Sequence, residues 1–388
     1  MNNPSSARLQ LIVFALVSAS FTNVYITQPV LPVLQQEFSA DAVTVSLTVS
    51  AVILGIALAN LPFGFLADRL PIHPILLVGG VMVAAGGVVC AASENLWVLV
   101  AARFFQGLFI PALTTCLAAY LAKTLPAERL NVVMGSYVSA TVLGGLGGRL
   151  LGGFLHPPLH WRYAFVTAAV LILAATAAAF VGLPRRADDA RGKTVAAGFF
   201  SLMRRWAFLR IFFCAAGAFA VFSSIFNFLP FRLAAAPFFL STELTTALYL
   251  VYIVGIFMGP TAGRISNRFG SGNTLIAGTV MFWAAIALVA LPLLGAVVTG
   301  LLGVCAGFFT IHAAAVGSLN RKLAGGHGRA NALYVLFYYM GGWLGITGAG
   351  LAYEKGGWEA VVAFCAVLLL VPLAAGIGER KETLEKRK

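Results

Sequence analysis

The sequence predicts an all-α polytopic membrane protein with twelve transmembrane helices in two six-helix pseudo-repeats. Three observations predict this fold class. Of the 388 residues, 60% are hydrophobic and only 10% are charged, with a mean hydropathy of +0.92, whereas soluble domains carry roughly 25% charged residues. The apolar residues form runs of about 20, the length that crosses the hydrocarbon core as a helix. Finally, one charged turn occurs twice, about half the chain apart.

The predicted spans form two sets of six. Those of the first half lie near residues 9–35, 43–66, 74–92, 96–122, 129–154 and 161–183. Those of the second half lie near residues 207–233, 243–265, 273–293, 296–318, 329–353 and 357–378. The first run is too long for a signal-peptide core, so we expect it to remain as a span. We therefore expect a six-helix bundle over 1–183, a cytoplasmic linker over 184–205, and a second bundle with a basic tail over 206–388.

The repeated turn follows the second span of each half. It reads Gly-Phe-Leu-Ala-Asp68-Arg69 in the first half and Gly-Arg-Ile-Ser-Asn267-Arg268 in the second, 199 residues later. Secondary transporters are commonly built from two repeated halves. We expect these four residues to act as gates at the inner surface, and the first gate to be the stronger one because Asp68 is charged.

Basic residues are unevenly distributed between the loops. With the N-terminus inside, 21 of the 26 Lys and Arg residues fall on the cytoplasmic side, three fall outside, and two fall within spans. Cytoplasmic loops of membrane proteins carry such an excess of positive charge. The pattern predicts cytoplasmic termini, and it explains the net charge of +13 without a nucleic-acid partner.

The sequence argues against an enzyme and against an ATP-driven pump. Its spans hold no metal-type cluster of His, Asp and Glu, and no nucleophile beside a plausible base; the chain has no nucleotide-binding loop. The five cysteines lie in apolar runs without close pairing, which argues against disulfides and a metal site. We expect no cofactor and no metal. A membrane receptor that does not transport stays open.

Several motifs resemble those of a known family. Gly64-x-x-x-Asp68-Arg69 resembles the loop motif of the major facilitator superfamily, and Arg103-x-x-Gln106-Gly107 resembles its fourth-span motif. The segments that narrow the resemblance to bacterial inner-membrane members of the drug/proton antiporter group are Gln28-Pro29-Val-Leu-Pro32, Gly147-Gly148-Arg149-Leu150, Gly307-Phe-Phe-Thr-Ile-His312 and Leu336-Phe-Tyr-Tyr339. The resemblance implies a twelve-span transporter of the bacterial cytoplasmic membrane that exports small organic compounds in exchange for protons.

The sequence departs from that group at two places. Pro71-Ile72-His73-Pro74 replaces the final Gly-Arg-Arg of the loop motif, which weakens its usual basic cluster. In the fifth span the group's pattern has Gly-Pro, whereas Gly144 and Gly145 are followed by no proline.

Two arginines fall within spans, where a charge costs about 2.5–3.5 kcal/mol on insertion scales. Each should therefore face the protein interior or a water-filled cavity. Arg103, helped by Gln106, could tie the fourth span to a backbone carbonyl of the first, or it could contact substrate. Arg149 adjoins glycines at the four-residue spacing of closely packed helices, so gating at the outer closure is at least as favoured as anion binding.

We expect a substrate cavity where prolines interrupt the first and seventh spans, since irregular backbone at membrane depth must face protein or water. The candidate substrate-binding residues are Asn23, Tyr25, Gln28, Arg103, Gln106, Phe226, Asn227, His312, Tyr334 and Tyr338. Such an aromatic surface with a few polar groups suits a small amphipathic molecule.

All 13 acidic residues can be assigned outside the spans or at their ends. The candidate proton carriers are therefore His312, which titrates near neutral pH, Glu37 and Asp41; a hydrogen-bonded core histidine is the alternative for His312. Two transport modes stay open: proton-coupled export, or proton-independent uniport or exchange of an anionic or sugar-like molecule. The expected partners are a small-molecule substrate, protons and the lipid bilayer, and we expect a monomer.

Overall fold

The structure is a computed structural model that describes residues 6–184, 199–323 and 327–385. Within these ranges every regular element is a helix. Most of the predicted linker, residues 185–198, and the last three residues of the basic tail lie outside the described residues.

Helices α1 to α8 make up the first half of the chain. Their bounds are α1 Ser6–Tyr25, α2 Leu31–Glu37, α3 Ala42–Leu66, α4 Ile72–Ala92, α5 Leu96–Leu113, α6 Thr115–Thr124, α7 Ala127–Phe154 and α8 Arg162–Gly182, with a 3₁₀ turn at Gln28–Val30.

Helices α9 to α16 make up the second half. Their bounds are α9 Phe199–Met203, α10 Trp206–Ala234, α11 Thr242–Leu248, α12 Val254–Phe269, α13 Ser271–Ala290, α14 Leu294–Arg321, α15 His327–Leu368 and α16 Leu370–Glu385, with a 3₁₀ turn at Tyr249–Ile253.

Ten stretches of the described chain are long and apolar enough to cross a membrane, judged by length and composition. They are Ala7–Glu37, Ala42–Leu66, Ile72–Ala92, Leu96–Thr124, Arg162–Gly182, Trp206–Ala234, Thr242–Phe269, Ser271–Ala290, Leu294–Arg321 and Gly328–Glu385. The last covers 58 residues, and its backbone leaves the helical conformation at Gly356 and Gly357. Gly357 has a φ of +61°, a left-handed conformation that favours glycine.

The chain divides into two compact units. Unit 1 comprises Met1–Ser39 and Leu47–Lys193, and unit 2 comprises Ala40–Ser46 and Thr194–Lys388. In unit 1, α1 packs mainly on α7 and α4 packs on α5 and α8. In unit 2, α10 packs mainly on α15, while α13 packs on α14 and α16.

Glycines allow α7 to pack directly on the backbone of α1. A Cβ atom added at Gly144, Gly148 or Gly152 would overlap a backbone carbonyl oxygen of α1 or of the residue that follows it. The oxygens concerned belong to Ser18, Thr22 and Ile26, in that order. The four-residue spacing of these glycines therefore does bring two helices into close contact, as small-xxx-small patterns do in membranes.

Proline interrupts the helix in the first predicted span but not in the seventh. The first is interrupted: α1 ends at Tyr25, and the chain passes through the 3₁₀ turn before α2 begins. In contrast, α10 continues through Pro230 to Ala234, so the expected interruption there is wrong. Proline lacks the N–H that would bond the carbonyl of Phe226, and the Tyr249 hydroxyl donates to that oxygen at 3.1 Å.

Candidate functional site

In unit 1 the predicted polar residues lie around the interruption of the first span. The last carbonyl groups of a helix have no partner in a following turn. Arg103 of α5 supplies donors to two of these carbonyls, from Nη1 to Asn23 O and from Nη2 to Val24 O, both at 2.6 Å. A cation at a helix C-terminus also interacts favourably with the helix dipole. Arg103 therefore closes the end of α1.

Arg103 has further contacts that link more helices. Its Nε donates to Thr48 O of α3 at 2.9 Å, and its Nη1 donates to Gln106 Oε1 at 2.7 Å. Gln106 Nε2 in turn donates to Val83 O of α4 at 3.0 Å. Both side chains are fully buried. These contacts favour the structural interpretation of Arg103 and Gln106 over direct contact with substrate.

Arg149 of α7 contacts the same interruption. Its Nε donates to Gln28 Oε1 and its Nη1 to Gly145 O, each at 2.7 Å, and its guanidinium carbon lies 3.9 Å from the centroid of the Tyr25 ring. Gln28 is fully buried and Arg149 is 2% exposed. The Gln28 Nε2 donor has no hydrogen-bond partner. We refer to Tyr25, Gln28 and Arg149 as the Arg149 cluster.

Unit 2 contains a cluster of aromatic rings around His312 of α14. Its Nδ1 lies 2.9 Å from the Tyr334 hydroxyl oxygen. The imidazole stacks on Phe308 with centroids 5.9 Å apart, and it lies 5.4 Å from the Tyr338 ring. Tyr338 stacks in turn on Phe219 at 3.8 Å. The structure thus brings His312, Tyr334 and Tyr338 together in what we call the His312 cluster.

Phe226 and Asn227 lie further along α10 and are fully buried. Asn227 Nδ2 donates at 2.9 Å to Ser46 Oγ, which belongs to the short 40–46 stretch of unit 2, and Asn227 Oδ1 has no hydrogen-bond partner. Phe226 contacts the ring of Phe222 at 4.9 Å. Because Phe222 stacks on Phe308 at 4.0 Å, the two residues adjoin the His312 cluster.

The two acidic candidates for proton transfer have local structural contacts. Glu37 Oε1 accepts a hydrogen bond from Arg162 Nη1 at 2.6 Å, and Glu37 Oε2 accepts one from the Trp161 indole. Asp41 immediately precedes α3 and accepts hydrogen bonds from the backbone N and the hydroxyl of Thr44 at 2.7 and 2.6 Å. These bonds hold the pKa of Asp41 below its ordinary value.

Each charged turn contacts a base at the end of another helix in its own unit. Asp68 Oδ1 accepts from Lys123 Nζ at 2.6 Å, and Lys123 also donates to Ala67 O. In unit 2, Asn267 Oδ1 accepts from Arg321 Nη1 at 3.4 Å. We refer to Asp68 with Lys123 as the first latch and to Asn267 with Arg321 as the second latch.

The neighbouring arginines of the two turns contact aromatic rings. The guanidinium of Arg69 lies 3.8 Å from the centroid of Phe65, and that of Arg268 lies 5.2 Å from the centroid of Phe269. The bases of both latches were not foreseen, because side chains that are about 55 positions apart in the sequence give no pairing signal.

Unit 2 also contains a charged network that sequence analysis missed. Glu379 of α16 accepts from Arg210 Nε at 3.1 Å, from Lys322 Nζ at 2.9 Å and from Ser318 Oγ at 2.5 Å. Glu382 accepts from Arg210 Nη2 at 2.7 Å and from Lys322 Nζ at 2.5 Å. The side chain of Glu379 is only 5% exposed. The sequence places Glu379 with the other acidic residues outside the spans or at their ends, and it gives no sign that three helices meet there.

Comparisons with known proteins show which family this architecture represents. Residues 13–325 match the model of the Major Facilitator Superfamily. The chain is 28% identical over 373 residues to the uncharacterized MFS-type transporter YybF of Bacillus subtilis (strain 168), covering 93% of this chain and 91% of YybF. It is 27% identical over 380 residues to the inner membrane transport protein YnfM of Escherichia coli (strain K12), covering 96% and 90%.

A solved structure gives the same result for the fold. The bacterial homologue of the human lysosomal transporter Spinster superposes with a TM-score of 0.76 at 16% identity, covering 97% of this chain and 95% of that chain. The family resemblance predicted from the motifs is thereby confirmed. The chain belongs to the Major Facilitator Superfamily and is a multi-pass membrane transporter.

Proposed function

We propose that the protein exports small amphipathic organic compounds by alternating access, in exchange for protons. The observation that supports this proposal is the aromatic His312 cluster of unit 2, which lies within membrane-spanning stretches and adjoins the buried Asn227. Polar side chains at membrane depth are costly and are typical of substrate and ion pathways. A mostly aromatic surface with a few directed polar groups suits an amphipathic ligand.

We propose His312 as the proton carrier. Glu37 and Asp41 already accept the hydrogen bonds described above at helix ends, whereas His312 lies within a membrane-spanning stretch and bonds a tyrosine hydroxyl. An imidazole in contact with water changes charge between pH 5 and 8, so His312 would take up a proton when its cluster opens to one side and release it when the cluster closes.

Reconstituted protein tests the coupling. Purified protein is placed in liposomes that enclose a pH-sensitive dye, and a panel of amphipathic drugs, sugars and organic anions is applied. We expect substrate-driven proton movement that His312→Ala abolishes and that the control His73→Ala retains, since His73 contacts the Leu183 carbonyl in unit 1. Transport of a substrate with no proton movement would refute the coupling.

The Arg149 cluster favours a second candidate, which is proton-independent uniport or exchange of an anionic molecule. A guanidinium beside a buried amide donor is suited to an anion. Substrate flux through wild-type protein that does not respond to an imposed pH gradient would support this candidate over the first.

We propose that the first and second latches, with Arg69 and Arg268, control opening at the inner surface, and that Arg149 contributes to closure at the outer surface through the packing of α7 on α1. Because Asp68 is charged and Asn267 is neutral, the first latch should hold more strongly.

We further propose twelve spans with cytoplasmic termini, with α7 as the fifth span and the Gly356–Gly357 bend separating the eleventh from the twelfth. The strong excess of basic residues in the predicted inner loops supports this orientation. The five native cysteines are buried, so introduced cysteines can be labelled selectively. A membrane-impermeant maleimide should label Ser39→Cys in intact cells and should label Leu70→Cys only after lysis; the reverse pattern would invert the topology.

A further inference from the structure

The backbone holds the Arg149 cluster in a fixed arrangement. Because Gly144, Gly148 and Gly152 place α7 directly on the backbone of α1, the position of Arg149 relative to Gln28 is set by two packed helices. Gln28 itself lies in the 3₁₀ turn, where Pro29 limits the backbone. Preorganised donors of this kind lose little entropy when they bind a ligand.

The hydrogen bond between Arg149 and Gln28 orients the amide. Since Nε of Arg149 is a donor, the amide oxygen of Gln28 must face the guanidinium, and the amide nitrogen must point away from that N–H. That nitrogen is buried and has no hydrogen-bond partner. The cluster therefore contains a buried amide donor whose direction is fixed by a neighbouring cation.

The chemistry of these groups selects one class of ligand. The guanidinium and the amide nitrogen are donors only. The three contacts of Arg149 described above, with an amide oxygen, a backbone carbonyl and a tyrosine ring, are with uncharged groups. A carboxylate accepts only, and its planar shape matches the arginine fork. A sugar hydroxyl would also need acceptors for its own protons.

From this we infer that Arg149, Gln28 and Tyr25 form a carboxylate-binding subsite in unit 1, and that the transported compound carries a carboxylate at its polar end. The inference rests on the proposed transport function and names the substrate class. Tyr25 is half-buried and flanks the guanidinium, so its ring covers the charged end of the ligand while its hydroxyl offers a further donor.

Matched acids and amides test the subsite. Purified protein in detergent is titrated with benzoate and benzamide, and with octanoate and octanamide, while the thermal unfolding midpoint and the binding heat are measured. We expect at least one carboxylate to bind tenfold or more tightly than its amide. Equal binding of each acid and amide, or no binding of either acid, would overturn the inference.

Two variants with the same change of charge test whether the acid binds at the Arg149 cluster. Gln28→Glu keeps the side-chain size and sets a carboxylate beside Arg149, so the fold should persist while the binding of the acid falls at least tenfold. Gln36→Glu makes the same change at an exposed position of α2 and should leave binding unchanged. Loss of binding in both variants, or in neither, would contradict the subsite.

Flux through proteoliposomes separates this inference from the proposed function. If wild-type protein transports the amides as well as the acids, transport stands and the subsite falls. If the acids bind selectively but nothing is transported, the subsite stands and the proposed function falls.

Discussion

Arg103 and Arg149 are both buried in unit 1, yet their acceptors differ in kind. The acceptors of Arg103 are mainly backbone carbonyls at the end of α1 and in α3, which cannot move without moving a helix. Arg149 bonds a side-chain amide and a carbonyl of its own helix, so a ligand can bind beside it without separating α7 from α1. At the residue scale this difference favours a structural role for Arg103 and supports the proposed ligand-binding role of Arg149.

Replacement of Arg103 by lysine tests its structural role. The ammonium keeps the charge, but a single nitrogen cannot reach the carbonyls of α1 and α3 together with Gln106. Buried acceptors left unpaired cost about 1–3 kcal/mol each, so we expect Arg103→Lys to lose about 3 kcal/mol of stability. Thermal unfolding in detergent measures this loss. Arg69→Lys is the control and should change stability by less than about 0.5 kcal/mol.

The Tyr249 hydroxyl replaces the hydrogen bond that Pro230 removes. Tyr249→Phe should therefore destabilise the protein by about 1–2 kcal/mol, because the buried Phe226 carbonyl loses its donor. In a Pro230→Ala background the alanine N–H can bond that carbonyl, so the same change should cost far less. Thermal unfolding of the four proteins of this double-mutant cycle measures the difference. An equal cost in both backgrounds would show that the hydroxyl does not compensate for the proline.

At the scale of helices, the sequence predicted some features and missed others for identifiable reasons. The interruption near Pro29 was predictable because local chain chemistry determines it. The continuity of α10 through Pro230 was not, because the compensating hydroxyl comes from a different helix. Glu379 was placed with the other acidic residues outside the spans or at their ends, but its contacts with Arg210 and Lys322 depend on how other helices pack. Local patterns thus predicted helices and their ends, while contacts between distant helices determined the role of each polar group.

Two adjacent glycines of α7 allow the effect of close packing on α1 to be distinguished from the effect of helix propensity. Gly148→Ala should cost about 1–3 kcal/mol, since the added methyl group overlaps the Thr22 carbonyl and must displace a helix. The adjacent Gly147→Ala is its control: the nearest atom would be Thr22 Oγ1 at 3.6 Å, and alanine favours the helix by up to about 1 kcal/mol. The thermal unfolding midpoint should therefore fall for Gly148→Ala and rise for Gly147→Ala. Similar destabilisation by both would indicate that glycine itself, rather than close packing, is required.

The charged network joins α10, α14 and α16. Glu379→Gln should destabilise the protein by about 3 kcal/mol, because a buried carboxylate that serves two bases is lost. Glu382→Gln should cost less, since the side chain of Glu382 is 26% exposed and solvent offsets the loss. The exposed Glu354→Gln serves as the control in the same thermal unfolding series. A larger effect at Glu382 than at Glu379 would contradict the ranking by burial.

At the scale of the whole molecule, family membership and membrane class follow from features spread along the chain. The apolar runs, the basic loops and the repeated turn each recur, so composition and periodicity were enough to predict them. The substrate is different, because its recognition depends on a few polar groups that separate helices bring together. The Arg149 cluster combines residues of α1, the 3₁₀ turn and α7, which are up to 124 positions apart in the sequence.

The pH dependence of transport by the whole molecule distinguishes between His312 and Asp41 as proton carriers. Hydrogen bonds from Thr44 lower the pKa of Asp41 below its unfolded value of about 4. The stabilisation from this ionised carboxylate is therefore present above about pH 4, and it is lost as the pH falls through the lower folded pKa. Between pH 5 and 8 Asp41 stays ionised and carries no proton.

Asp41→Asn should therefore leave the pH profile of transport between pH 5 and 8 unchanged, even if it lowers stability by removing a helix cap. By contrast, His312→Ala should flatten the profile, because an imidazole that is exposed to water during the transport cycle changes charge in this range. Flux measured in proteoliposomes at matched inner and outer pH, in steps across the range, provides both profiles. A flattened profile in Asp41→Asn with an unchanged profile in His312→Ala would move the proton pathway from α14 to the start of α3.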